Sequence, residues 1–176
     1  ICRDSLQGNL SIKLTSLGLE IDPAACERNV RTILTTAREN GNMFVRMDME
    51  NSPYTTATID LYRKLRKEFT NVGVVLQSYL RRTPDDIDML VEEGRSLGIR
   101  TNVRLCKGIY IESEDIAFKG RKEIQQNYLA SLEKLFGGDA YVGIATHDDV
   151  LINGAKQLIA KHRRTNLDFE FQMLLG

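Results

Sequence analysis

The sequence carries no excess of charge of either sign: Lys plus Arg and Asp plus Glu both number 24. No net field therefore draws the chain to nucleic acid or to an anionic membrane surface, and an anionic ligand has to be held locally. Cysteine is scarce. Cys2, Cys26 and Cys106 lie far apart, are odd in number and match no metal-ligand spacing, so neither a disulfide framework nor a metal site is expected and a reducing compartment is the simplest reading. No apolar run approaches the roughly 20 residues that a membrane-spanning helix needs, and the start ICRDSLQGN lacks the layout of a signal peptide. A cytoplasmic location is expected, with peripheral membrane contact left open. The GxGxxG, P-loop, CxxC, HExxH and GxSxG patterns are missing as well, which removes the usual dinucleotide, nucleoside triphosphate, zinc and serine-hydrolase signatures. What is present is a 42% hydrophobic, 27% charged composition over 176 residues, that of an ordinary globular chain long enough for one domain with a substantial core.

Proline is nearly absent, and its three positions are informative. Pro23, Pro53 and Pro84 each follow a potential helix cap, Asp22, Ser52 or Thr83, at intervals of 30 and 31 residues. Proline is tolerated at the first helical position, where its missing N–H is not needed, so each marks a helix start. Helical apolar spacing follows: Val30, Ile33, Leu34 and Ala37; then Ala57, Leu61, Leu65 and Phe69; then Ile87, Leu90 and Val91. Short β-rich runs alternate with these helices: LSIKL (10–14), MFVRM (43–47), VGVVLQ (72–77), NVRLC (102–106), YVGIAT (141–146) and FEFQML (169–174). Further helices are expected around 120–136 and 149–162. The alternation argues for right-handed βαβ units and an α/β fold with a parallel sheet. No linker divides the chain, so residues 1–176 read as a single domain. Six strands build either an open doubly wound sheet or part of a (β/α)₈ barrel, and the even pitch without a Gly-rich first turn favours the barrel. A complete barrel typically needs about 250 residues. On this reading its first strand and its last strand and helix lie outside these residues, the chain being either a fragment or a structure whose ends are not resolved.

Parallel strands present their C-terminal ends to ligands, and nearly every predicted strand ends in a polar group. These are Lys13, Asp48 with Glu50, Gln77, Arg104 with Lys107, Thr146 with His147, and Gln172. Each also has an ordinary structural explanation. Lys13 can snorkel from a rim, Asp48 and Glu50 can neighbour a helix cap, and His147 can be a satisfied rim histidine. Arg104 is harder to dismiss, because a guanidinium among buried strand residues needs a partner. The run RKLRKEF (63–69) reads as an exposed helix face with Leu65 and Phe69 turned inward. Arg121 and Lys122, near a helix start, could meet a phosphate. Composition and spacing stop at a barrel with a ligand-binding mouth. A lysine-based Schiff-base lyase or aldolase using Lys13 or Lys107, and a barrel that binds ligand without turnover, both satisfy them.

At the same residues the sequence resembles the proline dehydrogenase family, and looks most like its compact monofunctional bacterial members. LSIKLTSLGL, FVRMDMENS, VGVVLQSYLRRT, VRLCKGIYIESEDIAF, IATHD and FEFQMLLG carry the resemblance nearly end to end. It implies a (β/α)₈ barrel holding non-covalent FAD, which takes hydride from the ring carbon of L-proline to give pyrroline-5-carboxylate, with quinone as electron acceptor. It further implies that Lys13 helps hold the substrate carboxylate and that Asp48 helps order the active site. By the same resemblance Gln77 bonds the flavin ring and Arg104 lies close to its reactive nitrogen. Lys107, Gly108, Ile109 and Tyr110 would line the cofactor and substrate, and Thr146, His147 and Gln172 would touch the ribityl, pyrophosphate or ring region. Arg121 and Lys122 are weaker phosphate or adenosine candidates, and Leu174 would wall the proline ring. The oligomeric state is left open.

Overall fold

The structure, a computed structural model, describes residues 8–175. Six strands alternate with five helices: β1 (Leu10–Ile12), α1 (Pro23–Glu39), β2 (Val45–Met47), α2 (Ser52–Leu65), β3 (Val72–Gln77), α3 (Thr83–Leu97), β4 (Asn102–Cys106), α4 (Arg121–Gly137), β5 (Tyr141–Ala145), α5 (Asp149–Lys161) and β6 (Phe169–Gln172). The sheet order is β1-β2-β3-β4-β5-β6, and the pairs β1–β2, β2–β3, β4–β5 and β5–β6 run parallel. The expected α/β alternation is present, with six strands where a complete barrel has eight. β3 and β4 coincide with their predicted runs, while β1, β2, β5 and β6 are shorter than theirs; Lys13, Thr146 and Leu174 fall just past the strand ends. Among the described residues no helix is long and apolar enough to cross a membrane. The chain divides into two compact units, one ending at Val74 and one beginning at Val75.

In the first unit α1 starts as its sequence predicts. The Asp22 carboxylate accepts from the N–H groups of Ala24 (2.9 Å) and Ala25 (3.1 Å), and Pro23 opens the helix. Its buried face is Cys26, Val30, Leu34 and Ala37, the three-to-four spacing of an amphipathic helix. Burying a side chain such as Leu34 contributes roughly 1.5–3 kcal/mol relative to leaving it exposed. Glu27 accepts from Arg31 (2.9 Å) and Lys64 (2.7 Å), and Glu68 pairs with Arg31, which ties α1 to the end of α2. The cap of α2 is Asn51 rather than Ser52, one residue earlier than expected, and it makes no side-chain cap bond. Leu65 and Phe69 turn inward as anticipated. Arg66 departs from the expected exposed face: it is 2% exposed, with its guanidinium 5.4 Å from the Tyr62 ring centre.

In the second unit α3 again begins one residue early, at Thr83, with Arg82 at the cap position. The Thr83 hydroxyl is used elsewhere, donating to the Gln77 carbonyl at 2.6 Å. The helix ends at Gly98, whose φ of +66° suits glycine. In β4 Val103 and Leu105 are buried while Asn102, Arg104 and Cys106 are only partly covered, as the two-residue period of a strand requires. The Tyr128 hydroxyl of α4 donates to the Leu105 carbonyl at 2.9 Å, and burial pushes its pKa well above the ordinary value. Strand pairing continues past the strands, because Ser78 N–H donates to the Cys106 carbonyl and Tyr79 N–H to that of Lys107, both at 2.8 Å.

Candidate functional site

In the second unit the strand ends bring several sequence candidates together. Arg104 of β4 stands in register with Gly143 of β5, and Gly143 with Glu170 of β6. Arg104 Nε donates to Gln172 Oε1 at 2.5 Å, and Gln172 Nε2 donates to Glu170 Oε1 at 2.6 Å. One orientation of the Gln172 amide satisfies both partners, since Arg can only donate and a carboxylate only accept. Gly143 leaves room for this: a Cβ there would lie 2.9 Å from Gln172 Nε2. Gln77 is buried at the end of β3.

A second cluster forms where β4, α4 and α5 meet. Asp148 caps α5, its Oδ1 accepting from Val150 N–H at 3.1 Å. The same carboxylate accepts from Lys107 Nζ at 3.4 Å, Arg121 Nη2 at 3.3 Å and Gln125 Nε2 at 3.0 and 3.1 Å. Its own N–H donates to the hydroxyl of buried Thr146 at 3.1 Å. Burial raises the Asp148 pKa, but Gln125, the Val150 N–H, Lys107 and Arg121 together outweigh that and leave it below the usual carboxylate range. Lys107, Arg121 and Thr146 are thus assembled as a group. Lys122 is exposed beside them and makes none of these contacts.

The loop after β4 is pinned by its glycine. Gly108 has φ +109°, and a Cβ there would run into the Tyr79 ring. Tyr79 is buried with Leu80 and Ala117, and Tyr110 packs against that cluster; burial pushes the Tyr79 phenol up to about 12. Ile109 is 85% exposed. His147 accepts on Nε2 from the Leu174 N–H at 3.0 Å, and the Leu174 side chain is 83% exposed.

In the first unit Asp48 N–H donates to the Ile12 carbonyl at 2.9 Å, carrying the β1–β2 register one step past Ile12 and Met47, to the level of exposed Lys13 and half-buried Asp48. Glu50 is buried and accepts from Thr15 N–H (3.0 Å) and Thr15 Oγ1 (2.6 Å). That bond fixes the turn following Lys13. The buried Cys26 thiol donates to the Leu14 carbonyl at 3.5 Å, and burial pushes its pKa up, so it is a packing residue.

Asp148, Gln125, Glu170 and Thr15 were not among the sequence candidates. Two left a signal: Asp148 precedes a helix, as a cap does, and Glu170 sits two residues before Gln172, on the same face of a strand.

The chain was compared with known proteins. A family model described as Proline dehydrogenase matches residues 3–176. Proline dehydrogenase 2 of Bacillus subtilis (strain 168) is 40% identical over 176 residues, all of this chain and 56% of that protein. The proline dehydrogenase of Deinococcus radiodurans is 34% identical over 172 residues, 95% of this chain and 53% of that protein. The chain therefore spans about half the length of the curated relatives it matches. Among solved structures, proline utilization A (PutA) from Bdellovibrio bacteriovorus inactivated by N-propargylglycine aligns with a TM-score of 0.85 at 27% identity, covering 94% of this chain and 20% of that one. The chain belongs to the proline dehydrogenase family.

Proposed function

We propose that the chain carries out the family's reaction, FAD-dependent oxidation of L-proline to 1-pyrroline-5-carboxylate with electrons passed on to a quinone, and that its six strands are part of a (β/α)₈ barrel. The observation that carries this reading is the pairing of Arg104 with Gln172 and the gathering of Lys107 and Arg121 on Asp148, in a chain that belongs to this family. The donor set fits FAD. A flavin ring wants amide donors and acceptors at its edge and a cation near its reactive nitrogen, while a diphosphate wants cations and helix N-termini. When bound, FAD would supply the electron sink that oxidation of the proline ring needs, the part of the chemistry that side chains cannot provide.

The remaining chemistry is orientation by this chain's own groups. Arg104, held by Gln172, would offer positive charge to the flavin ring, and Gln77 an amide from the end of β3. Lys107 and Arg121, gathered on the Asp148 cap of α5, would hold the diphosphate. Thr146 and His147 serve the ribityl and diphosphate side, Lys122 the adenosine side. Gly108 and Ile109 line the cofactor, and Tyr110 and Leu174 the substrate. In the first unit Lys13 supplies a compact cation for the carboxylate of proline, and Asp48, level with it, orders the same strand end. The test is anaerobic addition of L-proline to the purified full-length protein. Flavin absorbance that bleaches with proline, and proline-dependent dye reduction, are expected; a protein without bound flavin and without dye reduction refutes the reading.

A further inference from the structure

Asp148 draws two cations onto a single oxygen. Lys107 Nζ and Arg121 Nη2 lie 3.4 and 3.3 Å from its Oδ2, and Gln125 Nε2 lies 3.0 Å from the same atom. The acceptor is deep and the donors are outward: the Asp148 side chain is 2% exposed, those of Lys107 and Arg121 43% and 76%. Lys107 comes from the loop after β4, Arg121 from the first turn of α4, and Asp148 from the start of α5. Two exposed cations brought this close repel each other unless an anion lies between them. Capping α5 needs only one acceptor for the Val150 N–H, so the cap does not account for the charge of this residue or for its other donors.

We propose that Asp148 is a positioning residue for the cofactor's diphosphate: it holds Lys107 and Arg121 side by side, so that both cations address one dianionic group. The inference rests on the flavin reading above and adds to it a residue that touches neither substrate nor cofactor. Asp148→Asn separates this role from capping. Asparagine caps helices about as well as aspartate, but it removes the charge that holds the two cations together.

The experiment is equilibrium binding of FAD and of riboflavin, which lacks the diphosphate, to the flavin-free full-length protein and its variants, followed by flavin fluorescence. Asp148→Asn is expected to weaken FAD by on the order of tenfold, comparable to the loss of one charge-assisted hydrogen bond, and to leave riboflavin and the thermal midpoint unchanged. Unchanged FAD affinity reduces Asp148 to a cap and overturns the proposal. Tighter FAD binding does so too, because the carboxylate would then act only by repelling the diphosphate. Asp148→Ser, another uncharged cap, gives the same reading if the asparagine variant misfolds. Lys107→Gln and Arg121→Gln, made with Asp148 intact, must each weaken FAD more than riboflavin; if neither does, there is no cradle to position and the proposal falls. Wild-type protein that takes up neither ligand overturns the flavin reading along with it, whereas normal uptake by wild type and by Asp148→Asn overturns this inference alone.

Discussion

Two glycines in the second unit are required for different reasons, and the difference predicts different phenotypes. At Gly108 the backbone is left-handed and the space is already filled by the ring of buried Tyr79. Alanine there meets both a strained φ, of order 1–3 kcal/mol, and the ring of a buried side chain. Gly108→Ala should lower the denaturant midpoint clearly. Adding Tyr79→Ala should remove the steric part of the Gly108→Ala effect and leave the conformational part, so the two substitutions are non-additive in urea melts; full additivity would show that the ring does not set the requirement. Gly143 has no special φ, and the atoms an added methyl would meet first are the far end of the Gln172 side chain, which can turn away at little cost. Gly143→Ala should therefore be mild in stability yet should pull Gln172 from Arg104. With the guanidinium less firmly held, the potential of bound flavin is expected to move in the negative direction, because positive charge favours the reduced anion. An unchanged potential, measured by dye equilibration, would show that Gln172 does not orient Arg104.

Helices and strands were legible in the sequence because their causes are local. Asp22 and Pro23 announce α1 with the cap bonds they predict, and each apolar run became a strand or part of one. The caps of α2 and α3 lie one residue ahead of Ser52 and Thr83; the Thr83 hydroxyl finds its acceptor six residues back in the strand, at Gln77, which local cap preferences do not register. The Asp148 cluster was illegible for a stronger reason. Its side-chain donors lie 23, 27 and 41 residues away, and each was visible only as one more surface charge or amide. The same blindness hid the clasp at the start of β6. Arg100, just ahead of β4, donates to Asp168 at 2.6 Å and to the carbonyls of Asp139 and Leu167, while Asp168 also accepts from Thr165 N–H and Oγ1. The Thr165 amide, then Arg100, hold the Asp168 pKa down to about 2. Its folded pKa is depressed, so its contribution is complete above the unfolded value near 3.9. That contribution fades as pH falls from there through about 2. Asp168→Asn should flatten the loss of urea midpoint across that acid window and lower the midpoint at neutral pH. If the variant keeps the wild-type acid slope, the clasp is not what titrates.

Across the whole chain 24 cations balance 24 anions, so on the flavin reading no global field would collect an anionic cofactor and the work would fall to local groups. Described pairs on and beside the helices balance: Glu27 and Glu68 with Arg31 and Lys64, Arg82 with Asp86, and Lys134 with Asp88 neutralise one another. Lys107 and Arg121 share one carboxylate between two positive charges, which leaves a local surplus of one. That surplus fixes the size of the salt effect. Exposed charges are screened over about 10 Å at 0.1 M salt and about 3 Å at 1 M, so raising salt tenfold within that range should weaken FAD binding only a few-fold and leave riboflavin unaffected. The measurement is the fluorescence titration of both flavins at several salt concentrations. Loss of several orders of magnitude would mean that a broad positive field recruits FAD. Equal sensitivity of both flavins would place the salt effect on the protein's own ion pairs, because riboflavin brings no charge for the two cations to hold.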